Sequence, residues 1–411
     1  MRKLFVSAVA LAMASSAYAA PNVTNATQKG SLLVFSDIRV DDVQGNLAGA
    51  PTQAVFNTLV RLQNDNNLDV DVKCYWLDGF KNRVDFIIPM TANQAVWFDA
   101  RTGAGTFQVN PFPIGAANGF TAGNRHPFLD LGGAAGAAAA GLASGDGWGP
   151  YRRGMLACWV VDGGAQNQVK YNHISGTATV YTAAEAYEYN AYAFFVPTGA
   201  DLDPVGTPGT LELNGLQYDA CPLYQIGQFT PANPAPLPQG APNISYNRLA
   251  LAGCNVNLNQ DWTPVWTKWQ FDLWNSDEVK FTGAFECADT WHETDFRPGT
   301  AAQNNGVLNP AVPGFVDGVD SAAQNFTFAT LATYAARYRV QGIKSTQCER
   351  TKSGASDTVA AVTTQAVGVL AVQSSYLTLG DLVGTTLTAA GKFNGRIVWD
   401  IEGPVPEGGV R

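Results

Sequence analysis

Trp266, Gln270, Asp272 and Trp274 are the residues whose types and spacing come nearest to a binding site. In an extended strand through residues 265–275, side chains alternate between two faces. Trp269, Phe271 and Leu273 then share one face, while Trp266, Lys268, Gln270, Asp272 and Trp274 share the other. Two indoles on a polar face can stack on sugar rings, and an amide and a carboxylate beside them can bind hydroxyls. The plainer use of the same tryptophans is to cap a neighbouring loop or domain.

A second pattern is Asp65, Asn67, Asp69 and Asp71. Hard oxygen ligands at such spacing suit Ca²⁺, and structural calcium is the one cofactor the sequence suggests. Leu68, Val70 and Val72 fill the gaps, however, which predicts a strand with a wet acidic face. The run also lacks the glycine and closing Glu of a helix–loop–helix calcium site.

Catalytic chemistry has less to build on. The three histidines, His126, His173 and His292, are scattered, and Trp291-His292-Glu293-Thr294-Asp295 reads as a solvated loop after Cys287. No GxSxG elbow, HExxH helix or Walker loop occurs. A hydrolase working through two carboxylates has no specific pair to point to among 34 acids, so no catalytic residue is assigned.

The six cysteines are Cys74, Cys158, Cys221, Cys254, Cys287 and Cys348. None forms a CxxC, and an even count in an exported chain predicts disulfides, with about 15 possible pairings. Cys74-Tyr75-Trp76-Leu77-Asp78-Gly79 is echoed by Cys158-Trp159-Val160-Val161-Asp162-Gly163. Each runs into an Asp-Gly turn and is followed by a second β-rich segment. This predicts one β-hairpin built twice, with a cysteine at a fixed place in its first strand.

These patterns must be held by strands. Leu32–Val40, Thr58–Gln63, Leu68–Val72 and Val84–Ile88 are short β-rich or alternating runs, and Tyr187, Tyr189, Ala191, Ala193 and Phe195 share a face farther on. The fold class expected is all-β: antiparallel β-sandwich units, Ig-like or jelly-roll-like, with long Gly/Ala- and Pro-rich loops. The expected boundaries are a flexible leader at 20–30, a β-sandwich region at 31–240 and a C-terminal β-domain at 241–411. The sandwich region reads as two repeat-related units, 31–112 and 150–240, or as one large sandwich. A Gly/Ala-rich insertion occupies 113–149. Residues 322–336 are the one stretch that could form a substantial helix.

Residues 1–19 read as a secretory signal: Arg2 and Lys3, an apolar run from Leu4 to Met13, then Ala17-Tyr18-Ala19. That run is shorter than the roughly 20 residues of a spanning helix, and no membrane-spanning segment is expected in the mature chain. The formal charge is −9, and cleavage removes two of the cations. Such a balance repels phosphate backbones and excludes nucleic acid as a partner. Charged residues make up only 14%, against 11% aromatics, which gives ample core and excludes general disorder. The function expected is an exported, non-catalytic protein of the cell surface or extracellular space, structural or adhesive. Its partners would be copies of itself or other surface proteins. The alternative is a carbohydrate-binding sandwich with glycans as partners.

Overall fold

A computed structural model describes residues 23–40, 56–78, 83–112, 153–164, 166–182, 186–229, 243–254, 266–289, 291–295, 333, 335–344, 367–378, 382–383, 386–387 and 392–397. The signal at 1–19, the insertion at 113–149, His126, Cys348 and the helical stretch up to residue 332 lie outside them; Ala336 opens a strand instead.

The described residues are all β, with antiparallel sheets and no helix, so none holds a helix long and apolar enough to cross a membrane. The first nine strands are β1 (Leu32–Arg39), β2 (Asn57–Asn64), β3 (Val70–Asp78), β4 (Arg83–Met90), β5 (Ala95–Asp99), β6 (Arg153–Val161), β7 (Ile174–Tyr181), β8 (Ala186–Asn190) and β9 (Tyr192–Phe194). They form two sheets, ordered β4-β3-β6-β1-β9 and β5-β2-β7-β8. Strands from residues 31–112 and from 150–196 therefore interleave in one pair of sheets.

The next seven are β10 (Tyr224–Phe229), β11 (Asn243–Cys254), β12 (Trp266–Trp274), β13 (Lys280–Asp289), β14 (Trp291–Asp295), β15 (Ala336–Ile343) and β16 (Gly368–Thr378). The last three are β17 (Leu382–Val383), β18 (Thr386–Leu387) and β19 (Lys392–Ile397). They build a second pair of sheets, β10-β15-β12-β13 and β14-β11-β16-β19, plus the small β17-β18 ladder. The chain enters this pair at β10, upstream of the Pro-rich stretch.

Three cores explain the sequence patterns. Val60, Leu62, Val72, Trp76, Phe86 and Ile88 alternate with polar residues and fill the first sandwich. On the other side of the five-stranded sheet, Leu32, Val34, Trp159 and Phe194 pack with Ala250 and Ala252 of β11 and with Trp291 of β14. Leu249 and Leu251 of β11 face the opposite way, onto Trp269, Phe271 and Tyr338 in the second sandwich. The four large sheets thus stack as four layers. The central strand β1 is covered on both faces, so it reads Leu-Leu-Val-Phe without alternation and is buried throughout, whereas the edge strand β4 keeps one exposed face. Each fully buried Leu or Phe contributes about 1.5–3 kcal/mol.

Two hydrogen bonds also cross the junction between the inner sheets. Trp291 Nε1 donates to the Ser36 carbonyl at 2.8 Å, and the Tyr192 hydroxyl to the Ala371 carbonyl at 3.1 Å.

The cysteine echo has a specific outcome. β3 and β6 are antiparallel neighbours, with Cys74 directly opposite Cys158, and the two are joined as a disulfide. After β6 the chain turns tightly, with the Asp162 amide donating to the Asn167 carbonyl at 2.9 Å, but it returns only as far as Val169 before bridging to Pro204. The second disulfide, Cys221–Cys254, ties the segment after β9 to the end of β11. Cys287 sits on β13 opposite Lys268; its side chain lies outside the described residues.

Residues 20–30, expected as a flexible leader, are built into the fold from Val23 on. Val23 bridges Ala220 in parallel, and Asn25 bridges Ala193. The buried Thr24 hydroxyl donates to the Ala193 carbonyl at 2.7 Å, and Gln28 Nε2 donates to Asp219 Oδ2 at 2.6 Å. Gly30 is required here: a Cβ would stand 2.5–2.8 Å from the Phe194 backbone.

Candidate functional site

β12 places its residues as the alternation predicts. Trp269, Phe271 and Leu273 are buried in the second sandwich, while Lys268, Gln270 and Trp274 are half-exposed on the outward face of β10-β15-β12-β13. Three of the four candidate ligand residues, Gln270, Asp272 and Trp274, therefore share one face. Trp266 opens the strand opposite Asp289, and its side chain lies outside the described residues.

Asp272 departs from the expected wet position, being only 2% exposed. Its strand neighbours close over it: Arg339 of β15 pairs with Oδ2, and Lys280 Nζ of β13 lies 3.3 Å from Oδ1. Trp274 is flanked in the same way. The Arg337 guanidinium is 5.1 Å from its ring centre and the Lys280 ammonium 5.5 Å, one from the strand on either side. Arg339 in turn lies 5.7 Å from the Tyr224 ring on β10. Opposite Gln270 stands Gln341. The face is thus cationic and aromatic at one end and amide-lined toward its middle. The sequence shows the Trp face and Lys268, but Arg337 and Arg339 arrive from β15, some 65 residues later, and no local pattern announces them.

The four calcium candidates are divided among different tasks. Asp65 pairs with Lys29 and stands 3.7 Å from His173 Nδ1. His173 Nε2 is 3.1 Å from Asp201 Oδ2. Asn67 is exposed, and its amide donates to Asn66 Oδ1 at 2.7 Å. Asp69 Oδ1 accepts from the Ala92 amide at 2.8 Å, securing the β4–β5 turn. Asp69 and Asp71 do meet Asp162 around an open cavity of about 380 Å³, floored by Met90, Val161 and Val169. Among the described residues, no group of three or more His, Cys, Asp or Glu side chains is arranged to hold a metal ion.

One polar cluster escaped the sequence reading. β1 carries a register shift between Phe35 and Ile38, a bulge that re-aims Ser36 and Asp37. Asp37 is fully buried; its Oδ2 accepts from the Tyr187 hydroxyl at 2.6 Å and its amide donates to the Tyr189 hydroxyl at 2.8 Å. Ser36 supplies the carbonyl that takes Trp291 Nε1. A buried acid with two tyrosines has the parts of a proton-transfer site, but all three side chains are buried and hydrogen-bonded within the cluster. The cluster fastens β8 and β14 to β1. The signal in the sequence was Ser36-Asp37 inside an otherwise apolar run.

The expected solvated loop at 291–295 is instead strand β14. It pairs with β11, and Trp291 and His292 are buried because β14 faces the junction.

No family model matches the chain, and no curated protein matches it. A solved structure described as "Crystal structure of PBSX exported protein XepA" shares 6% identity over 78% of this chain and 84% of that one, with a TM-score of 0.17. A likeness that slight carries neither fold nor function across.

Proposed function

We propose that this chain is an exported, non-catalytic protein of the cell surface or extracellular space, with a structural or adhesive role. One observation carries the reading: four stacked sheets with three buried cores between them, one disulfide joining β3 to β6 within a sheet and another tying the segment before β10 to the end of β11. Such a body resists deformation, and its disulfides suit an oxidising compartment. The signal-like start of the chain agrees with export. The buried Ser36 and Asp37 cluster fastens β8 and β14 to β1 and so ties the layers to one another.

The test is the native size of the protein recovered from its producing cells without reductant. A large assembly that survives purification is expected; a clean monomer that contacts no surface component overturns the reading.

A second reading, glycan binding, is favoured by the outward face of β12, where Gln270 and Trp274 lie together on a sheet surface. Retention on neutral or acidic polysaccharides, lost on Trp274→Ala, is the result it requires.

A further inference from the structure

The outward face of β10-β15-β12-β13 is cationic in a chain whose formal charge is −9. Lys268, Lys280, Arg337 and Arg339 stand on it, and among the residues whose side chains are described on β12 and β15 the carboxylate facing them is that of Asp272. Asp272 is already engaged by Arg339 and Lys280. Arg337 is exposed, and no ion pair with a carboxylate involves it among the described residues. Instead its guanidinium rests by the Trp274 ring, which also holds Lys280. The indole fixes Arg337 without neutralising it, while Lys280 and Arg339 share the one carboxylate of Asp272, so the group of three cations keeps a net positive charge. That charge is held in a defined geometry, so less ordering is needed on binding.

The surroundings narrow the ligand. Asp277 and Glu278 are exposed in the turn after β12 and repel anions at that end. An anionic chain would therefore run from Arg337 past Arg339 toward Gln341 and Gln270. The Lys280 and Arg337 pair beside Trp274, followed along the strands by two neutral amides, suits a ligand that carries both carboxylates and hydroxyls. A guanidinium binds a carboxylate through two parallel hydrogen bonds. Carboxamides both donate to and accept from hydroxyls. A phosphate polymer would need cations along the whole path, and the acidic body repels it.

We propose that this face binds an acidic polysaccharide, one built of uronic-acid sugars, with Arg337 and Lys280 as its carboxylate anchors and Trp274 as their positioning residue. This deepens the glycan reading and rests on it.

The experiment uses the full mature chain, with polygalacturonate as the acidic probe, dextran as the neutral one and phosphatidylglycerol vesicles as the anionic lipid. Binding is measured at low and high salt for wild type, Arg337→Ala/Lys280→Ala and Arg337→Lys, each checked by its thermal melt. The expected result is binding to polygalacturonate that weakens with salt and falls about tenfold or more in the double Ala variant. Arg337→Lys, which keeps the charge and loses the fork, should fall between them. Equal binding to dextran that survives the double variant overturns the acidic ligand but leaves glycan binding standing. No binding to either polysaccharide overturns both, and stronger binding to the vesicles than to polygalacturonate replaces the sugar with a lipid surface.

Discussion

Removing the two disulfides one at a time, each as a pair of Ala substitutions, separates two ideas about what holds this protein together. Cys74–Cys158 closes a sequence separation of 84 residues, and Cys221–Cys254 one of 33. Cross-linking lowers the entropy of the unfolded chain, more so for the longer loop. The chain-entropy relation gives about 4.6 kcal/mol for the first bridge and about 3.7 kcal/mol for the second at 25 °C. The difference, about 0.8 kcal/mol, depends only on the ratio of loop lengths. Burial acts in the same direction: Cys74 and Cys158 are fully buried in the first core, whereas Cys221 is 7% exposed. Cys74→Ala/Cys158→Ala should therefore be the more destabilising pair. Guanidinium unfolding followed by tryptophan fluorescence gives the ranking. If Cys221→Ala/Cys254→Ala costs more, the loop-entropy reasoning is refuted and the second bridge matters as a tie between the segment before β10 and the end of β11.

Three further outcomes are expected. Asp219 is held above the usual carboxylate range, mainly by burial, against the hydrogen bonds from the Phe195 amide and Gln28. The folded state then takes up the proton more readily than the unfolded one, so this group's contribution to stability falls as pH rises from about 3.8 through the folded pKa. Asp219→Asn should flatten that slope and gain on wild type toward neutral pH; melting curves across pH that keep the wild-type slope would refute this. Trp291→Phe leaves the buried Ser36 carbonyl without its 2.8 Å donor and should cost about 1–3 kcal/mol in chemical unfolding; no change would mean that the junction relaxes around the loss. Gly30→Ala drives a methyl into the Phe194 backbone and should cost about 1–3 kcal/mol or more, so an unshifted thermal midpoint would contradict the close approach of strap and strand.

Where one face of a strand is buried, the sequence says so. Val60 and Leu62, Val70 and Val72, and Trp269, Phe271 and Leu273 were all legible from alternation alone, as was the all-β class. The cysteine echo was visible too, but its meaning was not. Two similar segments that each form a strand can be repeats or direct partners, and only the register of β3 against β6 decides between them. The four-layer stack was hidden for a related reason. A strand buried on both faces, such as β1, loses its alternation and gives no hint of what covers it. The outward face of β12 was half legible: the indoles and the carboxylate are local, whereas Arg337 and Arg339 reach them from a strand distant in sequence. The Asp37 cluster was missed because a bulge, not a period, aims it.

The strap at residues 23–30 has a consequence for the order of events in the cell. Its partners, Ala193, Asp219 and Ala220, are synthesised some 165–197 residues after it. β1, which follows directly, also waits for β6 to emerge. This early-made segment is thus among the last to find its place. Contacts this distant in sequence slow folding, since a long loop must close before they give anything back. A chain delivered from its N-terminus cannot settle as it arrives, and completion must wait until residue 220 is free. Until then the apolar strand behind the strap stays uncovered, which leaves the partly delivered chain prone to aggregation.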